Sequence, residues 1–193
     1  MSGKIGIIVG HEENAPGVVA TFPINLSEYH FNKTLSLEIY RAVQDAGYEC
    51  RVFLRDRTTR DGVTKAVNSW ISDDDGVSVE LHLNAFDGKT RGTETLYSVH
   101  SDDSKMLALL VQSHVCEALG RTGKSNRGLK ILEFGDRGSS NLRKMDHPAC
   151  LVEPVFADNK DDAALLSSQR LLYAESIAES CIEFLKKYKE TVK

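Results

Sequence analysis

VSVELHLNAFDGKTRGTETLY, residues 77–97, holds two strand patterns within one short segment. In its first half Val77, Val79, Leu81 and Leu83 alternate with Ser78, Glu80, His82 and Asn84. A period of two with one apolar and one polar set predicts a β-strand. TETLYSV, residues 93–99, supplies a second strand. Toward the N-terminus, KIGIIVGH at 4–11 is a short apolar run that reads as a buried strand ending at Gly10 and His11. Residues 12–26, with Pro16, Gly17, Pro23 and Asn25, have no sustained period and read as an irregular connection. Ser27 offers an N-cap for a helix reaching Ala46, stopped by Gly47, and YECRVFL at 48–54 follows as a strand. A short helix over about 62–72 closes in the acidic turn DDDG at 73–76.

On the C-terminal side, DDSKMLALLVQSHVCEALG at 102–120 reads as a helix with Asp102 and Asp103 at its start and Gly120 past its end. NRGLKILEFG at 126–135 is a loop holding one further strand, ACLVEPVF at 149–156 is a strongly apolar buried strand, and the remainder is mostly helical. Strands interleaved with helices predict a three-layer α/β domain, a twisted, mostly parallel or mixed sheet flanked by helices on both faces. No repeat, low-complexity tract or linker interrupts residues 1–193, which are read as one domain.

Composition narrows the function classes. With 41% hydrophobic and 27% charged residues the chain matches an ordinary globular protein, and a formal charge of −4 argues against nucleic acid as a partner. No apolar run is long enough to cross a bilayer, so no transmembrane segment is expected. The start leads directly into IGIIVG, too short and too early for a signal peptide, which implies synthesis in the cytoplasm. Cys50, Cys116, Cys150 and Cys181 lack zinc-knuckle spacing and are expected to be reduced, buried thiols.

Polar residues then stand out where the pattern calls for apolar ones. In a covered α/β sheet the polar set on 77–84 should not simply face water, and sites gather at the carboxyl ends of strands. His82 and Asn84 end one strand and His11 ends another. Glu28 heads the core-facing stripe of its helix with Phe31, Leu35, Ile39, Ala42 and Ala46, where it must cap the helix, meet a cation or bind a metal. His30 falls on the opposite, solvated side. Glu153 sits inside ACLVEPVF, where a basic partner or the water of a bound metal would account for it. Two imidazoles and a carboxylate suit a zinc ion with an open fourth position. A further glutamate could move the proton of the attacking water.

The ordered series IVGH (8–11), SEYHFNKTL (27–35), ELHLNA (80–85), GTETLY (92–97) and CLVEPVFADNKDD (150–162) resembles the zinc-dependent N-acetylmuramoyl-L-alanine amidases, in particular the catalytic domains of phage endolysins. The resemblance implies that His11, Glu28 and His82 hold one zinc ion and that Glu153 is the catalytic acid and base. The implied substrate is peptidoglycan, cut at the amide between the lactyl group of N-acetylmuramic acid and L-alanine of the stem peptide. Glu80 stands where many bacterial members resemble a serine. It lies on the His82 side of the strand, either orienting that imidazole or pairing with a covering helix. Asn84 is the expected substrate contact, with Glu94 either a second contact or structural. An endolysin without an export signal would act on the wall after release through a membrane pore. The lysines at 186, 187, 189 and 193 read as a solvated helix end, and the basic residues of 126–149 as neighbours of the cleft. Two other readings share the motifs, a zinc carboxypeptidase or aminoacylase and a catalytically silent peptidoglycan-binding regulator.

Overall fold

The computed structural model describes residues 3–20, 25–56, 58–72, 75–136 and 139–191, with the backbone alone over 188–191. Pro23, Asp73, Asp74 and Lys193, each singled out above, lie outside the described residues, as does the side chain of Lys189. The chain runs β1 (Lys4–Val9), β2 (Val19–Ala20), β3 (Leu26–Ser27), α1 (Glu28–Asp45), β4 (Glu49–Phe53), α2 (Arg60–Trp70), β5 (Gly76–Leu81), β6 (Thr93–Ser98), α3 (Asp102–Ala118), β7 (Asn126–Leu132), α4 (Ser139–Leu142), β8 (Ala149–Glu153), α5 (Lys160–Ser168) and α6 (Arg170–Thr191).

Six strands form one sheet in the order β4-β1-β5-β8-β6-β7. β4, β1, β5 and β8 are mutually parallel, β6 runs antiparallel to β8, and β7 runs parallel to β6, so the sheet is mixed. The irregular connection before α1 contains a small antiparallel ladder, β2 with β3, that its Pro and Gly content concealed.

Both faces of the sheet are covered, which is why β1 reads as a continuous apolar run rather than an alternating one. Ile5 and Ile7 face the main core with Leu35 and Ile39 of α1, Leu107 and Val111 of α3, and Ile177 and Cys181 of α6. Ile8 faces the other way, onto Val63 and Val67 of α2. A second patch on that side joins Leu142 of α4 to Ala149 and Leu151, and Met145 packs against both groups. The four cysteines are free and buried.

The polar set of β5 lies under this thinner layer. His147 Nε2 sits 2.9 Å from Ser78 Oγ, and Asn141 Nδ2 donates to both oxygens of Glu80 at 3.1 and 3.2 Å. The strand's polar face is therefore dry and paired at its start, and opens only toward its C-terminal end. There the pairing with β8 continues irregularly past Pro154: His82 N donates to Val152 O, Asn84 N to Val155 O, and Ala157 N to Asn84 O.

A buried carboxylate pins the other side of that end. Asp162 Oδ2 accepts from Gly92 N at 3.0 Å and Phe156 N at 3.1 Å. Its Oδ1 accepts from Arg91 Nε at 3.2 Å and Arg121 Nη2 at 2.7 Å. These bonds tie the residues entering β6 to those leaving β8, and so set the positions of Glu94 and Glu153.

Candidate active site

Three elements deliver the expected ligands to one point. β1 ends at Val9, and Gly10 N still donates to Leu81 O at 3.0 Å, keeping the chain beside the end of β5. His11 then turns back with φ of 65°, the single positive φ outside glycine among the described residues. For a residue with a Cβ this conformation costs about 1–2 kcal/mol, and strain of this kind gathers at functional sites. Glu28 is the first residue of α1 and is 1% exposed. Its Oε1 accepts from Leu83 N and its Oε2 from Val18 N, each at 2.9 Å, so the carboxylate is fixed by backbone on both sides. It does not act as an N-cap.

Glu28 Oε1 lies 3.2 Å from His11 Nε2 and 3.0 Å from His82 Nδ1, and the two imidazole rings meet edge to face at 5.1 Å between centroids. One ligand atom from each residue falls within 4.8 Å of the others. Ligands about 2.0–2.1 Å from a tetrahedral zinc stand about 3.3–3.4 Å apart. The carboxylate-to-ring spacings are therefore within a few tenths of an ångström of that requirement, and two imidazoles with one carboxylate form a donor set suited to zinc. Two glycines keep the space clear. A Cβ on Gly10 would stand 2.5 Å from His82 Cε1, and one on Gly17 would stand 2.2 Å from Glu28 Oε2.

The charges are tightly coupled. Burial alone would raise the Glu28 carboxyl, but hydrogen bonds from His11 and His82 hold it down at about 2. His82 is disfavoured as a cation by burial, yet lies between Glu28 and Glu80 and is pushed up to about 10. Its Nε2 is 3.0 Å from Glu80 Oε1, leaving Nδ1 for the ligand cluster. Glu80 is 4% exposed, and its partners His82 and Asn141 lower its carboxyl against the opposing effect of burial. Glu80 thus meets both the His82 ring and a covering helix, the latter through the neutral amide of Asn141 on α4.

Glu153 stands across the cleft at the end of β8, paired in register with Glu94 of β6. Asn84 Nδ2 donates to Glu153 Oε2 and to Glu94 Oε1, both at 2.7 Å. Arg127 Nε donates to Glu94 Oε2 at 2.6 Å, and its guanidinium lies 4.9 Å from the centroid of the Phe156 ring. Gly92, at φ of 122°, lets Arg127 pass, since a Cβ there would stand 2.9 Å from that side chain. Burial raises the Glu153 carboxyl, the nearby His82 charge opposes, and Glu94 adds to the rise, leaving it at about 7. Glu94 is thus the central member of a structural network, and the Asn84 amide is engaged by the two glutamates.

A cleft of about 510 Å³ joins both halves, with His11, Glu28, His82, Asn84 and Glu153 in its wall and Leu96 and Leu151 lining its apolar part. Arg60, at the start of α2, is the one Lys or Arg among the described lining residues. Of the basic residues in 126–149, Arg127 pairs with Glu94, Lys144 pairs with Asp61, and Arg143 lies over Phe134, while Lys130, Arg143 and Lys144 do not line the cleft. Lys186 and Lys187 do not line it either, and His30 is exposed as expected.

Sequence reasoning missed Asn141, Arg127 and Asn32. Asn32 carried a usable signal: it lies one helical turn from Glu28 on the buried face, and its Nδ2 donates to Leu81 O at 3.2 Å. Asn141 and Arg127 carried none, because their partners lie 61 and 33 residues away.

The comparisons with known proteins agree with this architecture. The N-acetylmuramoyl-L-alanine amidase family matches residues 5–186. A cell wall amidase of Bacillus anthracis, itself described as uncharacterized, is 31% identical over 118 residues, covering 56% of this chain and 21% of its own length. The endolysin of Bacillus phage SPP1 is 33% identical over 112 residues, covering 55% of this chain and 39% of its own length. The chain thus spans well under half the length of these two curated relatives. The catalytic domain of CwlV, an N-acetylmuramoyl-L-alanine amidase from Bacillus (Paenibacillus) polymyxa var. colistinus, superposes with a TM-score of 0.80 at 23% identity, covering 96% of this chain and 99% of its own. At that identity the likeness is one of fold. Because the family match runs from within β1 into α6 and so takes in every element that carries a cleft residue, this chain belongs to the N-acetylmuramoyl-L-alanine amidase family.

Proposed function

We propose that this chain is a zinc-dependent catalytic domain that hydrolyses the amide between the lactyl group of N-acetylmuramic acid and L-alanine of the peptidoglycan stem peptide, in the manner of an endolysin acting on the wall after release. The observation that carries this reading is the convergence of His11, Glu28 and His82 on one point, with Glu153 held in the same cleft. Zinc, when bound there, would polarise the scissile carbonyl and acidify the attacking water. His11 Nε2, Glu28 Oε1 and His82 Nδ1 are the atoms that would hold it, and Glu80 fixes the His82 ring from its other nitrogen.

The remaining chemistry falls to Glu153. Burial, with Glu94 beside it, holds the Glu153 carboxyl at about 7 in the metal-free protein, raised from the ordinary carboxylate range toward the neutral range in which one group can take a proton and return it. Glu153 accepts the proton of the attacking water and delivers it to the departing alanine nitrogen. Asn84 keeps that carboxylate facing the cleft, and its position in the wall also suits a contact with the substrate.

The test is mass spectrometry of the products released from purified peptidoglycan, with Glu153→Gln as control. Stem peptides with a free alanine amine, released by the parent protein and lost by at least about 10²-fold in the variant, are expected for a missing general acid and base. Cleavage within the peptide would move the chain to a carboxypeptidase. No cleavage at all, with peptidoglycan still bound, would make it a regulator.

A further inference from the structure

His11 is held in a backbone conformation that a histidine does not favour, and the parts that hold it come from the β4–α2 connection. The β1–β4 ladder ends at Ile8 paired with Phe53. Beyond it Arg55 Nε donates to His11 O at 3.1 Å. The neighbouring Asp56 takes Glu13 N at 3.4 Å on Oδ1, and on Oδ2 it accepts from the Tyr29 hydroxyl and from Lys33 Nζ. Tyr29 in turn follows the ligand Glu28 and donates its own N–H to Pro16 O at 3.0 Å. The turn carrying His11 is therefore gripped from the α1 side by backbone and from the β4 side by two adjacent charged residues.

We propose that Arg55 is a positioning residue of the metal centre: its hydrogen bond to the His11 carbonyl holds the left-handed turn that aims the His11 imidazole at Glu28. The inference rests on reading His11 as a metal ligand. Arg55 is not among the residues lining the cleft, and it reaches the site through its hydrogen bond to the His11 carbonyl. On this reading its effect on the metal centre runs through the peptide unit of His11. A lost carbonyl partner frees the residue to relax toward negative φ, which His11 with its Cβ prefers, and the ring then leaves the other two ligands.

The test uses the metal alone. Metal-free protein is titrated with zinc against a chromophoric chelator for the parent, Arg55→Met, Arg55→Lys and His11→Ala, and the thermal unfolding of each metal-free form is recorded. Removing a group that orients a ligand typically weakens metal binding about 10–100-fold, and that loss is expected for Arg55→Met with a metal-free unfolding midpoint close to the parent's. Arg55→Lys, which keeps a cationic donor, should recover most of the affinity. Cobalt absorption spectra should show altered coordination in Arg55→Met but not in Arg55→Lys. Parent-like zinc affinity in Arg55→Met overturns the clamp and leaves the metal site standing. Zinc loss matched by an equal fall in metal-free stability in both Arg55 variants also overturns it, since the role would then be structural. A parent protein whose zinc binding is indifferent to His11→Ala overturns the metal reading and the clamp together. Arg55→Leu, which likewise has no donor, replaces Arg55→Met under the same criteria should the latter fail to fold.

Discussion

At the residue scale, Gly10 decides as much as the histidine beside it. A GH pair is common in sequences, and nothing in KIGIIVGH says that a methyl group on Gly10 would collide with the ring of His82, a residue 72 positions later. The chemistry of His11 and His82 was legible because imidazole at a strand end is unusual, but the clearance between them was not. His147 shows the opposite case, a histidine that sequence reasoning passed over. It is 6% exposed, its Nε2 meets Ser78 Oγ, and its Nδ1 has no partner among the described residues. Burial pushes its pKa down to about 4, against the weaker opposing effect of Asp146. An unfolded histidine titrates near 6.5. Above that pH both states are neutral and His147 has no pH-linked effect. As pH falls from about 6.5 toward 4 the unfolded chain takes up the proton first, and about 3 kcal/mol of stability is lost. Urea unfolding between pH 7.5 and 4.5 should therefore show the parent losing more stability than His147→Gln. Parallel pH profiles for the two proteins would contradict this.

At the element scale, most helices and strands follow from local pattern, and the departures have local causes. α1 ends as its Gly47 stop predicts, but α2 begins at Arg60 because the Thr59 hydroxyl caps it by accepting from Gly62 N at 3.1 Å, two residues earlier than the apolar period suggested. β7 reads as loop with a strand inside because it is a sheet edge, where partial exposure removes the apolar signature. What joins elements is less legible. Asp162 reads as one more acidic residue at the start of α5, yet it is fully buried and takes bonds from four groups of two other segments and its own. Removing one partner from a buried ion pair costs about 3–5 kcal/mol, because the remaining charge stays desolvated. Asp162→Ala strands Arg121, whose side chain is 4% exposed, and should lose stability of that order in chemical denaturation. A loss under about 1 kcal/mol would mean that Arg121 finds water on its own.

At the scale of the whole molecule, the metal should act as a ligand of the folded state. The proposed ligands come from β1's exit, α1's start and β5's end, which are brought together only in the fold. Zinc at about 100 times its Kd should then add about 2.7 kcal/mol, which for a chain of this size raises the unfolding midpoint by about 5–10 °C. Scanning calorimetry with chelator and then with excess zinc checks this, and an unchanged midpoint would speak against a site built by three elements. The alternation of strand and helix, the two covered faces and the identity of the candidate groups at 11, 28, 82 and 153 were determined by the sequence alone. Each depends on periodicity or on one side chain's chemistry within a short window. Tertiary structure decided the antiparallel direction of β6 and β7, the pairing of Glu80 with Asn141 and of Glu94 with Arg127, and the hold of Arg55 on His11. These depend on which distant segments pack side by side, and a hydrogen bond of about 3 Å leaves no periodic trace in the chain that makes it.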